Sequence, residues 1–320
     1  MKLFKHILYV SEVSVVQELS IARAVSVAEN NQADLTVIEV IPALTAGTGM
    51  LPGGHTSGEL QTDMVSERRK GLESLVEPYK DRLSIRLEVL VGKTYLEVIR
   101  TILRHKYDLL MKPAENPNFI ERLFGSDDMQ LLRNCPCSVW LTRSEEKSDY
   151  GCILAAVDID LDMPDETEQH LNRQILELSS SLAISKFAAL NVLHVWDAPF
   201  EKKVRSWSDS EAVLAYVDGE RSRHDRAFTR LGKELRDHIG PEAYDHLSPQ
   251  FHLRRGAPSK VIPQTVKELE ADLVVMGTVA RTGIAGWLIG NTAEAILEQL
   301  QCSVLAVKPP GFVSPVKLAE

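Results

Sequence analysis

GNTAEAILEQLQCSVLAVK, residues 290–308, lies position for position over GSDDMQLLRNCPCSVWLTR, residues 125–143. The opening glycine, the Cys-Ser-Val triplet and the closing cation coincide. Self-similarity of this kind, found twice in one chain, means two copies of one structural unit. The match extends upstream: VGKTYLEVIRTILRHKYDLLMK from Val91 parallels RGAPSKVIPQTVKELEADLVVMG from Arg255. In one stretch Gly92 and Asp108 stand sixteen residues apart, as do Gly256 and Asp272 in the other. DLTVIEVIP from Asp34 likewise parallels ALNVLHVWDAP from Ala189. The units therefore run over 1–145 and 150–320, joined by the charged stretch SEEKSDYG.

Within each copy, short apolar runs alternate with segments of helical period. In the second copy CILAAV (152–157) reads as a strand. The following helix TEQHLNRQILELSSSLA places Leu171, Ile175, Leu178 and Leu182 on one face. A long helix is expected from about Asp209 to His238, with Ser208 as N-cap and Gly240-Pro241 as stop. Strands that are apolar throughout, alternating with helices, predict a parallel sheet covered on both faces. The expected class is α/β: two tandem Rossmann-like units, each a mostly parallel five-stranded sheet with helices on both faces. The last strands, CSVWLT and CSVLAV, are costly to leave as open edges. Their pairing would pack the copies as an internal pseudo-dimer, and pairing with a second chain would give a homodimer.

The 320 residues carry 36 Lys plus Arg against 45 Asp plus Glu, a formal charge of -9, without a basic block. That balance argues against direct nucleic-acid binding. Only four apolar residues, Ile7 to Val10, follow the N-terminal cations, too few for a signal peptide or membrane span. A cytoplasmic protein without membrane attachment is expected. Four cysteines are too sparse for a secreted disulfide framework. Cys135 and Cys137 form a C-P-C without the second Cys/His pair a structural zinc needs, and read as strand-entry residues rather than a redox or metal site.

The candidate site lies in VVMGTVARTGIAGWLIGNTAEAIL, Val274 to Leu297, with four glycines between Gly277 and Gly290. It joins a strand to a helix, where open parallel sheets bind ligands. Free N–H groups at the helix start favour an anion, Gly290 allows close approach, and Asn291 and Thr292 can cap the helix and donate to phosphate. The alternative is a glycine-rich corner with Asn291 as an ordinary N-cap. Neither a Walker A loop nor G-x-G-x-x-G is present.

The duplicated unit, Asp158 after ILAAV, and the Gly277, Gly283, Gly290 loop followed by CSVLAVKPP resemble the universal stress protein family across essentially the whole chain. The likeness is strongest to tandem, type E-like members. It implies the adenine nucleotide alpha hydrolase-like variant of the fold, an adenine nucleotide as ligand, ATP foremost, and a role in stress response. The family's nucleotide-binding members carry G-x2-G-x9-G-Ser/Thr. Here Gly277 and Gly290 match, while Ala280 and Asn291 depart. By resemblance, Asp158 would touch the ribose or adenine edge, Val195 would offer its backbone to adenine, and Met276 would line the base pocket. Thr278, Arg281 and Thr292 are added near the phosphates on chemical grounds.

The first copy departs further. Glu12, or Ser11 with a different gap, replaces the strand-terminal aspartate, and its loop reads KPAENPNFIERLFGSDD. Gly125 and Ser126 keep the nine-residue spacing from Glu115, but Glu115 would repel phosphate, and Asp127 and Asp128 would occupy the helix dipole. Lys112 offsets part of this charge. The first site is expected to be degenerate: structural, or open to a different, apolar ligand.

The acidic run Asp158, Asp160, Asp162, Asp165, Glu166 fails as an EF-hand at Met163 and Gln169, so it reads as a solvated loop, with Mg2+ accompanying ATP as the lesser alternative. No metal site or catalytic constellation is evident, which limits any enzyme activity to slow ATP hydrolysis. His194, inside an apolar strand, reads as a satisfied core residue. The glycine-rich stretch Ile41 to Leu60 reads as a long loop. The combined expectation is a nucleotide-dependent signalling or protective protein with protein partners; a nucleotide-free interaction scaffold is the alternative.

Overall fold

The computed structural model describes residues 3–44, 57–115, 127–143, 149–161, 166–278 and 289–318. Two compact units divide the chain, one holding residues 3–143 with 312–318 and the other 149–278 with 289–311.

The first unit runs β1 (His6–Val10), α1 (Glu18–Asn31), β2 (Asp34–Ile41), α2 (Ser57–Val76), β3 (Ile85–Val91), α3 (Thr94–His105), β4 (Leu109–Pro113), α4 (Asp127–Asn134) and β5 (Ser138–Thr142). The strand order is β3-β2-β1-β4-β5, with every pairing parallel. The second unit runs β6 (Cys152–Val157), α5 (Glu166–Lys186), β7 (Ala189–Trp196), α6 (Glu201–Trp207), α7 (Ser210–Ile239), α8 (Pro241–Leu247), β8 (Gln250–Arg255), α9 (Pro258–Glu268), β9 (Leu273–Gly277), α10 (Asn291–Leu297) and β10 (Ser303–Val307). Its order, β8-β7-β6-β9-β10, repeats that of the first unit. Central strands β4 and β9 are almost wholly buried, as apolar strands covered on both faces must be. The outer strands β3 and β8 are half-exposed.

The repeated glycines and aspartates have the same duty in both units. Gly92 and Gly256 end β3 and β8 with φ of 154° and 144°, and each N–H donates to the neighbouring strand's last residues, at Ile41 O and Trp196 O. A left-handed φ combined with a Cβ within 3 Å of Glu97 or Val261 leaves glycine as the residue that fits. Asp108 accepts from the N–H groups of Lys5 and His6, and Asp272 from those of Gly151 and Cys152, tying β4 to β1 and β9 to β6 at their starts.

Two local expectations change. The long helix α7 is capped by Asp209, whose carboxylate accepts from Ala212 N at 2.9 Å, and Ser208 instead closes the preceding short helix α6. Pro241 does not merely stop a helix: it sits in the first turn of α8, where its missing N–H costs nothing. In the stretch Ile41 to Leu60, residues 45–56 lie outside the described residues, and Ser57 already begins α2. Ile175, Leu178 and Leu182 form the buried face of α5 as expected. Among the described residues no helix is long and apolar enough to cross a membrane.

Candidate functional site

In each unit the strand order reverses beside the first strand, so the chain leaves β1 and β4, or β6 and β9, in opposite directions. Sheets of this order bind ligands in a crevice at the carboxyl ends of those strands. In the second unit Ala156 pairs with Met276 and Val157 with His194. One step on from Val157 and His194 come Asp158 and Val195; two steps on from Ala156 and Met276 come Asp158 and Thr278. Backbone register therefore brings Asp158, Val195 and Thr278 to one level across three strands.

Asp158 is exposed, and its backbone is clamped by the buried Asn172 of α5, which accepts from Asp158 N at 3.1 Å and donates to Asp158 O at 2.5 Å. Val195 is half-buried, and Met276 is buried at the end of β9. Gly290 is the N-cap of α10 in extended conformation, and its N–H donates to Thr278 O at 3.0 Å. A glycine cap brings no side-chain acceptor to the first-turn N–H groups, so these remain suited to an anion. Asn291 and Thr292, both exposed, are the first two helical residues rather than the cap. Ala280 and Arg281 lie outside the described residues.

Two features of this crevice were not read from the sequence. Gly277 faces α5: a Cβ there would stand 2.7 Å from Leu171 Cδ2. Its lack of a side chain is thus accounted for by the close approach of α5. Thr278 is buried, and its hydroxyl accepts from Lys308 Nζ at 3.2 Å. Lys308 is itself buried just beyond β10; the only trace in sequence was the coincidence of cations at 143 and 308. His194 is buried within 2.9 Å of His224 Nδ1 and beside Phe228, a core role.

At the corresponding edge of the first unit lies a buried charge cluster. Lys112 is fully buried at the end of β4, with its ammonium 2.9 Å from Asp128, 3.3 Å from Glu115 and 3.5 Å from Glu12. The second carboxylate oxygen of Asp128 accepts from Glu115 N at 2.8 Å. Burial pushes Lys112 toward neutrality, but the three carboxylates outweigh it and keep the ammonium charged. Burial also pushes Glu12 up, yet Lys112 and the hydrogen bonds from Ser14 hold it below the ordinary carboxylate range. Burial and the neighbouring Asp128 raise Glu115 to about 7, since one lysine cannot balance three anions. Asp128, expected only to burden the helix dipole, is the lysine's nearest carboxylate. Gly125 and Ser126 lie outside the described residues.

The repeat alignment sets Lys112 over Met276 and Asp128 over Ala293. An ion pair in one unit is thus exchanged for two apolar residues in the other. Among the described residues no group of three His, Cys, Asp or Glu side chains is arranged to hold a metal ion; Asp162 and Asp165 of the acidic run lie outside them.

A sequence profile of the Universal stress protein family matches residues 3–143 and 150–308. The chain is 27% identical over 325 residues to Universal stress protein E of Photorhabdus laumondii, covering 99% of each sequence. It is 27% identical over 315 residues to the Universal stress protein E homolog of Haemophilus influenzae, covering 96% of this chain and 98% of the relative. Among solved structures, a protein of unknown function from Pseudomonas aeruginosa PAO1 superposes with a TM-score of 0.65 at 25% identity, over 96% of this chain and 94% of that one. A universal stress protein from Archaeoglobus fulgidus shares the fold with a TM-score of 0.62 at 16% identity, over 95% and 98% of the two chains.

Proposed function

The chain belongs to the universal stress protein family, and on that footing we propose that its second unit binds an adenine nucleotide, ATP foremost, and acts through its bound state. The observation that supports this reading is the contrast between the two carboxyl edges: one holds Lys112 and its carboxylates, the other the buried Met276 and a glycine-capped helix start at Gly290. In this reading adenine lies against Met276 and the backbone of Val195, and Asp158 accepts from the ribose hydroxyls. The phosphates lie at Gly290, Asn291 and Thr292, with Gly277, Thr278, Ala280 and Arg281 on the connecting segment. ATP brings Mg2+ as its companion ion. The protein works in the cytoplasm as a stress-response signalling or protective factor, and any ATP hydrolysis is slow.

Denaturing freshly purified protein and quantifying the released nucleotide by chromatography tests the first step. Adenine nucleotide near one equivalent per chain is expected. Gly290→Asp, which sets a carboxylate among the phosphates, is expected to abolish binding while the circular dichroism spectrum is retained. A variant that binds as tightly as the parent removes the phosphate-loop assignment. The buried Thr278, whose hydroxyl already accepts from Lys308, favours a second reading in which the crevice takes no nucleotide and the protein is an interaction scaffold. Absence of nucleotide after purification and of binding on adding Mg-ATP would select it.

A further inference from the structure

Cys135 and Cys137 lie between the end of α4 and the start of β5, with their sulfurs 3.5 Å apart and no disulfide between them. Local chain geometry accounts for the contact. The chain bends at Pro136 and Cys137, between the end of α4 and the start of β5, and the bend folds the two cysteines toward one another. Both residues are buried, Cys135 fully and Cys137 with 9% of its surface exposed, so Cys137 lies nearer the surface. The repeat supplies an internal control: in the second unit the same places hold Leu300 and Cys302, leaving one thiol where the first unit has two. The pair stands at the amino end of β5, the opposite end of the sheet from the crevice, so nucleotide binding gives no reason for it.

From this geometry we infer that Cys135 and Cys137 are a redox-active dithiol that closes to a reversible intrachain disulfide when a low-molecular-weight disulfide oxidises it. The thiolate of Cys137, the less deeply buried partner, attacks one sulfur of the oxidant; the S–S bond breaks, a protein mixed disulfide forms and one small thiol leaves. The Cys135 thiolate then attacks the Cys137 sulfur and expels the second small thiol. The two protein thiols have together lost two protons and two electrons, and the oxidant has become two thiols. A ring spanning three residues gains little from loop closure and is strained, which makes it easy to reduce again. Short-loop disulfides of this labile kind report on redox state rather than staple a fold.

The test uses the full-length protein, reduced, freed of reductant and exposed while folded to excess oxidised glutathione. Acid trapping, alkylation in denaturant and tryptic digestion then isolate the peptide Asn134–Arg143, which holds both cysteines. The expected peptide is lighter by two hydrogen masses and unalkylated, and dithiothreitol before trapping restores two alkyl groups. The peptides of Cys152 and Cys302 remain alkylated throughout. Alkylation of both sulfurs after oxidant, or glutathione retained on Cys137 in the parent, overturns the inference. Cys135→Leu, the residue of the second unit, should halt at the glutathione adduct on Cys137; a variant folded by circular dichroism that forms no adduct also overturns it.

Discussion

Lys112 faces Asp128, Glu115 and Glu12, and the surplus of carboxylates decides how this cluster titrates. Glu115 holds its proton up to about 7, against an ordinary value of 4.5. Between those two values the folded chain keeps a proton that the unfolded chain has released, so the contribution of Glu115 to stability falls as pH rises through that window. Glu115→Gln removes this dependence. Urea denaturation is expected to show the variant gaining stability on its parent between about pH 4.5 and about pH 7; parallel curves would place the proton elsewhere. Lys112→Met leaves the carboxylates without a counter-charge and should cost about 3–5 kcal/mol near neutrality. In acid the penalty should shrink, because protonated carboxyls need no partner.

At the scale of elements, α5 touches the carboxyl edge of the second sheet twice over. Asn172 holds the backbone of Asp158, and Leu171 presses against Gly277. Gly277→Ala would crowd that contact, and because the leucine tip can shift the cost should stay near the low end of overpacking, about 1 kcal/mol. Because the obstructing atom is the tip of one leucine, trimming it should relieve the clash: Leu171→Ala is expected to be less harmful in the Gly277→Ala background than in the parent. A double-mutant cycle by urea denaturation reads this coupling directly, and additive effects would show that Leu171 is not what requires the glycine. Helix α7 offers a simpler case, with Asp209 positioned by its bond to Ala212 N as the residue that starts thirty helical residues.

For the molecule as a whole, duplication has produced two units of identical strand order whose crevices differ in charge. The exchange of Lys112 and Asp128 for Met276 and Ala293 replaces an internal ion pair by two apolar residues. Breaking a buried pair to admit a polyanion would expose the carboxylates to it, so the first unit should not compete for nucleotide. Titration calorimetry with Mg-ATP is therefore expected to give a single site per chain, eliminated by Gly290→Asp and retained in Glu115→Gln. Two sites of similar affinity would refute the assignment of nucleotide to the second unit alone.

Sequence by itself determined the duplication and the α/β class, because period and repetition are local properties that survive in one dimension. The Gly92/Gly256 and Asp108/Asp272 pairs were visible for the same reason: each does the same backbone work in both units. Gly290 could be placed at a helix start, since a glycine between an apolar run and a helical period marks a boundary. Only the tertiary structure joined Asp128 to Lys112, Leu171 to Gly277, Lys308 to Thr278 and His194 to His224. Each of these contacts links different elements across the sheet or at its carboxyl edge. Their partners are selected by strand order and helix approach, and no spacing along the chain encodes which side chain will arrive.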